Sequence, residues 1–115
     1  MSILPQVPER NRRIAVRKAF REAATIVYGG SSKAVRTWDL GADGMCLLSP
    51  RPIAPGMRCK VAFDLAVAGE APVHVDVQAK VVHSSYAAAN EFKIGAVFTD
   101  LDDNTIRLLG QFVAI

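Results

Sequence analysis

The residues best equipped for chemistry in this chain are arginines. Arg10, Arg12, Arg13, Arg17 and Arg21 fall close together with Lys18 among them, and no acid interrupts the run. A guanidinium is a planar fork of donors that pairs with phosphate, stacks on a base, or matches the O6/N7 edge of guanine. Such a cluster reads first as a site for an anion, phosphate or nucleic acid; the plainer alternative is a solvated N-terminal arm. The basicity is local. The whole chain carries +3, so the residues outside this cluster sum to −3.

A second group follows 22 residues after Arg17: Asp39-Leu40-Gly41-Ala42-Asp43-Gly44. An aspartate can accept from the N1–H and N2–H₂ face of guanine, and a glycine lets the backbone approach a ligand closely. Taken singly, neither group is specific. Arginine pairs at this spacing are common, and an Asp-Gly connection between strands is most often only a tight turn.

Catalytic chemistry finds less support, and the chain reads as a non-enzyme. Its two histidines, His74 and His83, differ in strand parity: His74 points outward, while His83 has inward parity at the end of its run. One strand cannot aim both at one metal. Ser49 precedes Pro50 with no nucleophile-elbow pattern around it. No phosphate-binding GxxxxGK[ST] loop is present. Cys46 and Cys59 lack CxxC spacing and sit in apolar runs, where a free cysteine behaves as a small buried hydrophobe.

The elements that must carry these residues are strands. The stretch 24–28 is short and β-rich, the glycine-serine run 29–32 is a turn, and a return strand covers 33–38. Over 57–65 the odd positions Met57, Cys59, Val61, Phe63 and Leu65 are apolar and the even ones are mostly polar, a period of 2 with one face in a core. Val73, Val75, Val77, Ala79 and Val81 repeat the pattern, and Phe92, Ile94, Ala96 and Phe98 form the inner face of one more strand. After Asp102 and Asp103 the period lengthens. Ile106, Leu109 and Phe112 or Val113 predict a closing helix of about 12 residues with acids at its positive end. About six antiparallel strands and one terminal helix make an all-β domain, and small domains of this kind commonly close into a barrel.

Taken together and in order, Arg12-Arg13-Ile14-Ala15-Val16-Arg17, then a strand hairpin, then the segment 39–44, resemble the RRxxxR and D-x-S-x-x-G motifs of the PilZ domain family. The segment Glu91-Phe92-Lys93-Ile94-Gly95-Ala96-Val97-Phe98, followed by a polar-headed helix, is similar to that family's last strand and C-terminal helix. The resemblance covers roughly residues 10–114. It implies a six-stranded antiparallel β-barrel with a C-terminal α-helix, binding cyclic di-GMP across its outer surface. It assigns Arg13 and Arg17 to the arginine pair, Arg12 to the extra leading arginine, and Asp39, Gly41 and Gly44 to the second motif. Gly41 stands where the family usually has serine, so a hydroxyl that would help hold the ligand is missing; restoring it by Gly41→Ser is expected to tighten binding unless the backbone there needs φ > 0. Arg17 and Arg21 form a second RxxxR, but the register with Arg13 and Arg17 keeps the doubled arginine.

The implied organisation is a flexible arm over 1–11 and a binding domain over 12–115, with a downstream protein that the sequence does not identify. Two other readings stand beside it: a degenerate PilZ-fold module that works by protein contact without nucleotide, and an OB-like barrel for single-stranded nucleic acid. Nucleic acid is disfavoured because Asp64 and Asp76 sit on outward strand positions and only Phe20 lies within the basic cluster. No apolar stretch approaches the length of a membrane span and the N-terminus lacks a secretory pattern, so a cytoplasmic setting is expected.

Overall fold

Paired glycines and period-2 runs set the strand layout. The computed structural model describes residues 16–114. The expected arm over 1–11, and with it Arg12 and Arg13, lies outside the described residues. Among the described residues, seven strands, β1 (Arg17–Ala19), β2 (Ala23–Tyr28), β3 (Ser31–Gly41), β4 (Gly44–Ser49), β5 (Arg58–Leu65), β6 (Val73–Ala88) and β7 (Glu91–Asp100), precede a helix, α1 (Asp103–Ala114). Gly29 and Gly30 both take positive φ, 57° and 78°. A two-residue turn of that conformation matches the twist of a hairpin. The turn is therefore tighter than the run 29–32 suggests, and Ser31 and Ser32 already belong to β3.

Every pairing is antiparallel, and β3 pairs with both β2 and β4. The order β3-β2-β5-β6-β7-β4 therefore returns to β3, and six strands close into a barrel. Closure pairs the edges that an open sheet would expose. β1 stands outside the six. It lies on the same edge of β3 as β2, beyond the end of β2, with Arg17 opposite Gly41 and Ala19 opposite Asp39.

The alternating runs supply the core. Cys59, Val61, Phe63 and Leu65 of β5, Val75, Val77, Ala79 and Val81 of β6, and Ile94 and Ala96 of β7 are buried, with Phe92 and Phe98 packed against them. Two expected members are not. Met57 precedes β5 and Val73 opens β6, and both are exposed because the barrel wall ends there. β4 is buried at every position, since Met45 and Leu47 face the core while Cys46 and Leu48 are covered on the outer face. Burial holds the Cys46 and Cys59 thiols above their ordinary range, and Asp39 beside Cys46 adds to the effect there.

β6 continues to Ala88, well past the alternating run, because it stays paired with β7, while register shifts between Val81 and His83 and between Tyr86 and Ala88 break its parity. The first shift overturns the inward reading of His83. Val82 is the extra residue, so His83 points outward and is exposed.

Asp102 caps α1: its Oδ1 accepts the Thr105 N–H at 2.7 Å, and that bond holds its carboxyl below the usual range. Thr105, Leu108 and Leu109 face the barrel, whereas Ile106, expected inward, is exposed. The stripe is shifted from the sequence reading because Phe112 sets the helix face. Its ring meets Phe20 edge-on at 5.5 Å, and Phe20 meets Phe63 in the same way. No helix among the described residues is long and apolar enough to cross a membrane.

Candidate functional site

The strand β3 bends where the second motif begins. Its register with β4 shifts between Thr37 and Asp39, so Trp38 is the extra residue of a bulge. Thr37 turns inward there and is buried. Its hydroxyl donates to the Phe20 carbonyl (2.5 Å) and accepts the Glu22 N–H (2.8 Å). These bonds span the break between β1 and β2, and the Phe20 N–H donates to the Trp38 carbonyl beside them. The basic segment is thereby fixed at its C-terminal end, and β1 is laid along the motif.

Arg17 is the residue this arrangement delivers. Its Nη1 donates to Asp39 Oδ1 at 3.2 Å, and its Nε lies 3.5 Å from Asp43 Oδ1. All three side chains remain partly open to solvent. Beneath the guanidinium lie the two motif glycines. A Cβ on Gly41 would stand 2.5 Å from the Val16 carbonyl oxygen and 2.9 Å from Arg17 Cδ; one on Gly44 would run into the Ala96 carbonyl and reach within 3.0 Å of Arg17 Nη2. Neither glycine has positive φ. Both positions are therefore set by close approach: β1 crosses Gly41, and β7 presses on Gly44. This revises the reading of Gly41. A serine there gains a hydroxyl, but its Cβ meets the backbone of the segment that carries Arg17.

Of the candidate residues, Arg17, Asp39, Gly41 and Gly44 come together, while Arg12 and Arg13 lie outside the described residues. Arg21 is engaged elsewhere. Its guanidinium stacks 3.6 Å from the centre of the Trp38 ring, and its Nε donates to the Trp38 carbonyl at 3.1 Å. Sequence reasoning passed over Asp43, although its place two residues past Gly41 puts it at the tip of the same hairpin. Lys93 of β7 and His83 of β6 also lie on this outer face.

The two histidines part company. His74 lies between Asp64 (Nδ1 to Oδ1, 3.1 Å) and Asp76 (Nε2 to Oδ2, 3.5 Å), and the Asp64 bond raises its pKa. Among the described residues, no group of three or more His, Cys, Asp or Glu side chains is placed to hold a metal ion.

Here a guanidinium is held by two carboxylates over a glycine floor, and a fork of this kind pairs with carboxylates, phosphates and guanine edges alike. In fold the chain resembles the Bacillus subtilis inhibitor of motility MotI/DgrA, with a TM-score of 0.75 at 13% identity over 87% of this chain and 48% of that one. It also resembles the Borreliella burgdorferi PlzA protein, solved in complex with c-di-GMP, with a TM-score of 0.69 at 15% identity over 96% of this chain and 45% of that one. The chain thus spans about half the length of these solved proteins. No curated protein sequence matches it. The family model for the PilZ domain matches residues 11–114, nearly the whole sequence, and the chain belongs to the PilZ domain family.

Proposed function

We propose that this PilZ domain is a cytoplasmic receptor module for cyclic di-GMP that passes the signal to a protein partner and catalyses no reaction. The observation that carries the reading is the meeting of two segments 22 residues apart in sequence. Arg17 of the first rests on Asp39, Gly41, Asp43 and Gly44 of the second. In the proposed complex Arg17 exchanges a carboxylate for a phosphate or a guanine O6/N7 edge. Asp39 then accepts from the N1–H and N2–H₂ face of a base. Arg12 and Arg13 complete the cationic side, residues 12–115 form the binding domain and residues 1–11 the arm. Membership of the PilZ family and the fold shared with a c-di-GMP-bound protein support the ligand class.

The same contacts suggest how binding is reported. Phe20, the residue after β1, is wedged between Phe63 of the barrel and Phe112 of α1. A shift of β1 on ligand entry moves a ring on which the helix rests.

A second reading, an adaptor that acts by protein contact alone, draws on one feature. Arg17 already has two carboxylate partners, and β1 already fills the space over Gly41.

Titration of the wild type with cyclic di-GMP separates the two, and alanine substitution tests the residue assignment. Arg13→Ala and Arg17→Ala should each weaken cyclic di-GMP binding by about 1.5–3 kcal/mol, ten- to a hundredfold, the range for hydrogen bonds to charged groups. Binding unaffected by either substitution would refute the assignment.

A further inference from the structure

The outer surface of the barrel places one more side chain in line with the motif. Asp39 of β3 is opposite Cys46 of β4, Cys46 is opposite Gly95 of β7, and Gly95 is opposite His83 of β6. Directly opposed residues of antiparallel strands share a face. Asp39 and His83 therefore stand at the two ends of one row, three strand spacings or about 14 Å apart. Between them are only Cys46, which is buried, and Gly95, which has no side chain.

His83 leans into this gap. Its ring fills the space a side chain at 95 would need: a Cβ built there would lie 2.5 Å from Nδ1, 3.1 Å from Nε2 and closer still to Cε1. The imidazole thus lies against the sheet and stays exposed on its other side. Unlike His74, which has a carboxylate at each ring nitrogen, His83 has no hydrogen-bond or ion-pair partner among the described residues. Lys93, two residues along β7 from Gly95, points to the same face and acts on the Cys46 thiol.

We infer that His83 is the second base contact of this site, supplying a stacking surface at the end of the row opposite Arg17 and Asp39. The inference rests on the cyclic di-GMP reading. That ligand has two purines joined through two phosphodiesters. When Asp39 holds one base, the ring of phosphates lies over Cys46 and Gly95 with Lys93 beside it, and the second purine reaches the imidazole. Histidine is among the side chains on which unstacked bases rest. Gly95 has a defined role in this arrangement, since any side chain there pushes the imidazole off the sheet.

The test is calorimetric titration of the full chain with cyclic di-GMP, with thermal melts on each variant. His83→Ala should weaken binding about tenfold, within the range for losing one base–aromatic stack. His83→Phe should restore most of the loss, because the contact is stacking and not hydrogen bonding. Gly95→Ala should weaken binding to a similar extent with its Tm kept, since the group it displaces is the end of a flexible, exposed side chain. Wild-type affinity in His83→Ala, or a His83→Phe variant no better than His83→Ala, would overturn the inference. If Arg17→Ala weakens binding while His83→Ala does not, the second contact fails and the site reading stands. If the wild type does not bind, both fail together.

Discussion

Gly41→Ser is the substitution on which sequence and structure part most sharply. Motif comparison expects the added hydroxyl to tighten binding. The geometry predicts the opposite, because the new Cβ stands 2.5 Å from the Val16 carbonyl oxygen and 2.9 Å from Arg17 Cδ. Both are well inside the roughly 3.5–4 Å of an ordinary non-bonded contact, so β1 must retreat by about 1 Å. The pairing at stake is short: Arg17, Lys18 and Ala19 against Gly41, Leu40 and Asp39. At about 1 kcal/mol for each net hydrogen bond, loss of this ladder costs about 1–3 kcal/mol locally. The exposed Arg17–Asp39 pair adds little. The barrel core is untouched, so the loss should appear as local opening and leave global unfolding nearly unchanged. Hydrogen exchange at 17–19 should accelerate about five- to a hundredfold while β5 and β6 keep their protection. Cyclic di-GMP affinity should fall as Arg17 loses its seat. Gly41→Ala should behave like Gly41→Ser, since the Cβ and not the hydroxyl is responsible. Tighter binding by Gly41→Ser with unchanged protection of β1 would refute the steric argument.

Other substitutions test the remaining links. Asp39→Ala should weaken cyclic di-GMP binding by about 1.5–3 kcal/mol with Tm within a degree or two of wild type, because the Arg17 pair it breaks is partly exposed. Arg21→Ala should leave binding intact and lower stability by about 0.5–1 kcal/mol in denaturant titrations, through loss of the stack on Trp38. Phe20→Ala, which opens a cavity between Phe63 and Phe112, should cost about 3–5 kcal/mol in the same assay. Asp102→Ala should lower Tm by a few degrees at neutral pH through loss of the helix cap. The folded state depresses the Asp102 pKa, so this contribution is present above the unfolded carboxyl pKa and lost as pH falls through the folded one. Melts of variant and wild type should therefore converge in strong acid.

What could be read beforehand followed from periodicity. Cys59 to Leu65 and Val75 to Val81 alternate without interruption, and they form the barrel wall. The closing helix was also legible in extent, because acids and a three-to-four spacing follow one another there. Its face was not, since an edge-on contact between Phe20 and Phe112 decides whether Ile106 or Leu108 turns inward, and the two are 92 residues apart. β1 has no alternation at all. It is a strand because Gly41 leaves room for it and Thr37 pins its end, both tertiary causes. His83 was misread because a period-2 count fails at a bulge, and the extra residue there, Val82, looks like any other strand valine. In the candidate site the motif spacing did bring Arg17 onto Asp39, Gly41 and Gly44. The meaning of Gly41 was hidden, because a motif records a missing serine and not the backbone that occupies its place.

The most direct test of the central claim is calorimetric titration of the wild-type chain with cyclic di-GMP against cyclic di-AMP. Adenine presents an N6 donor where guanine has the O6 acceptor, so a site built on arginine forks and an aspartate must discriminate between them. The account predicts saturable cyclic di-GMP binding, with cyclic di-AMP at least tenfold weaker. Equal affinity for the two would contradict it and favour an OB-like nucleic-acid surface, and absence of cyclic di-GMP binding at high micromolar concentration would contradict it and leave the nucleotide-free adaptor as the function of this fold.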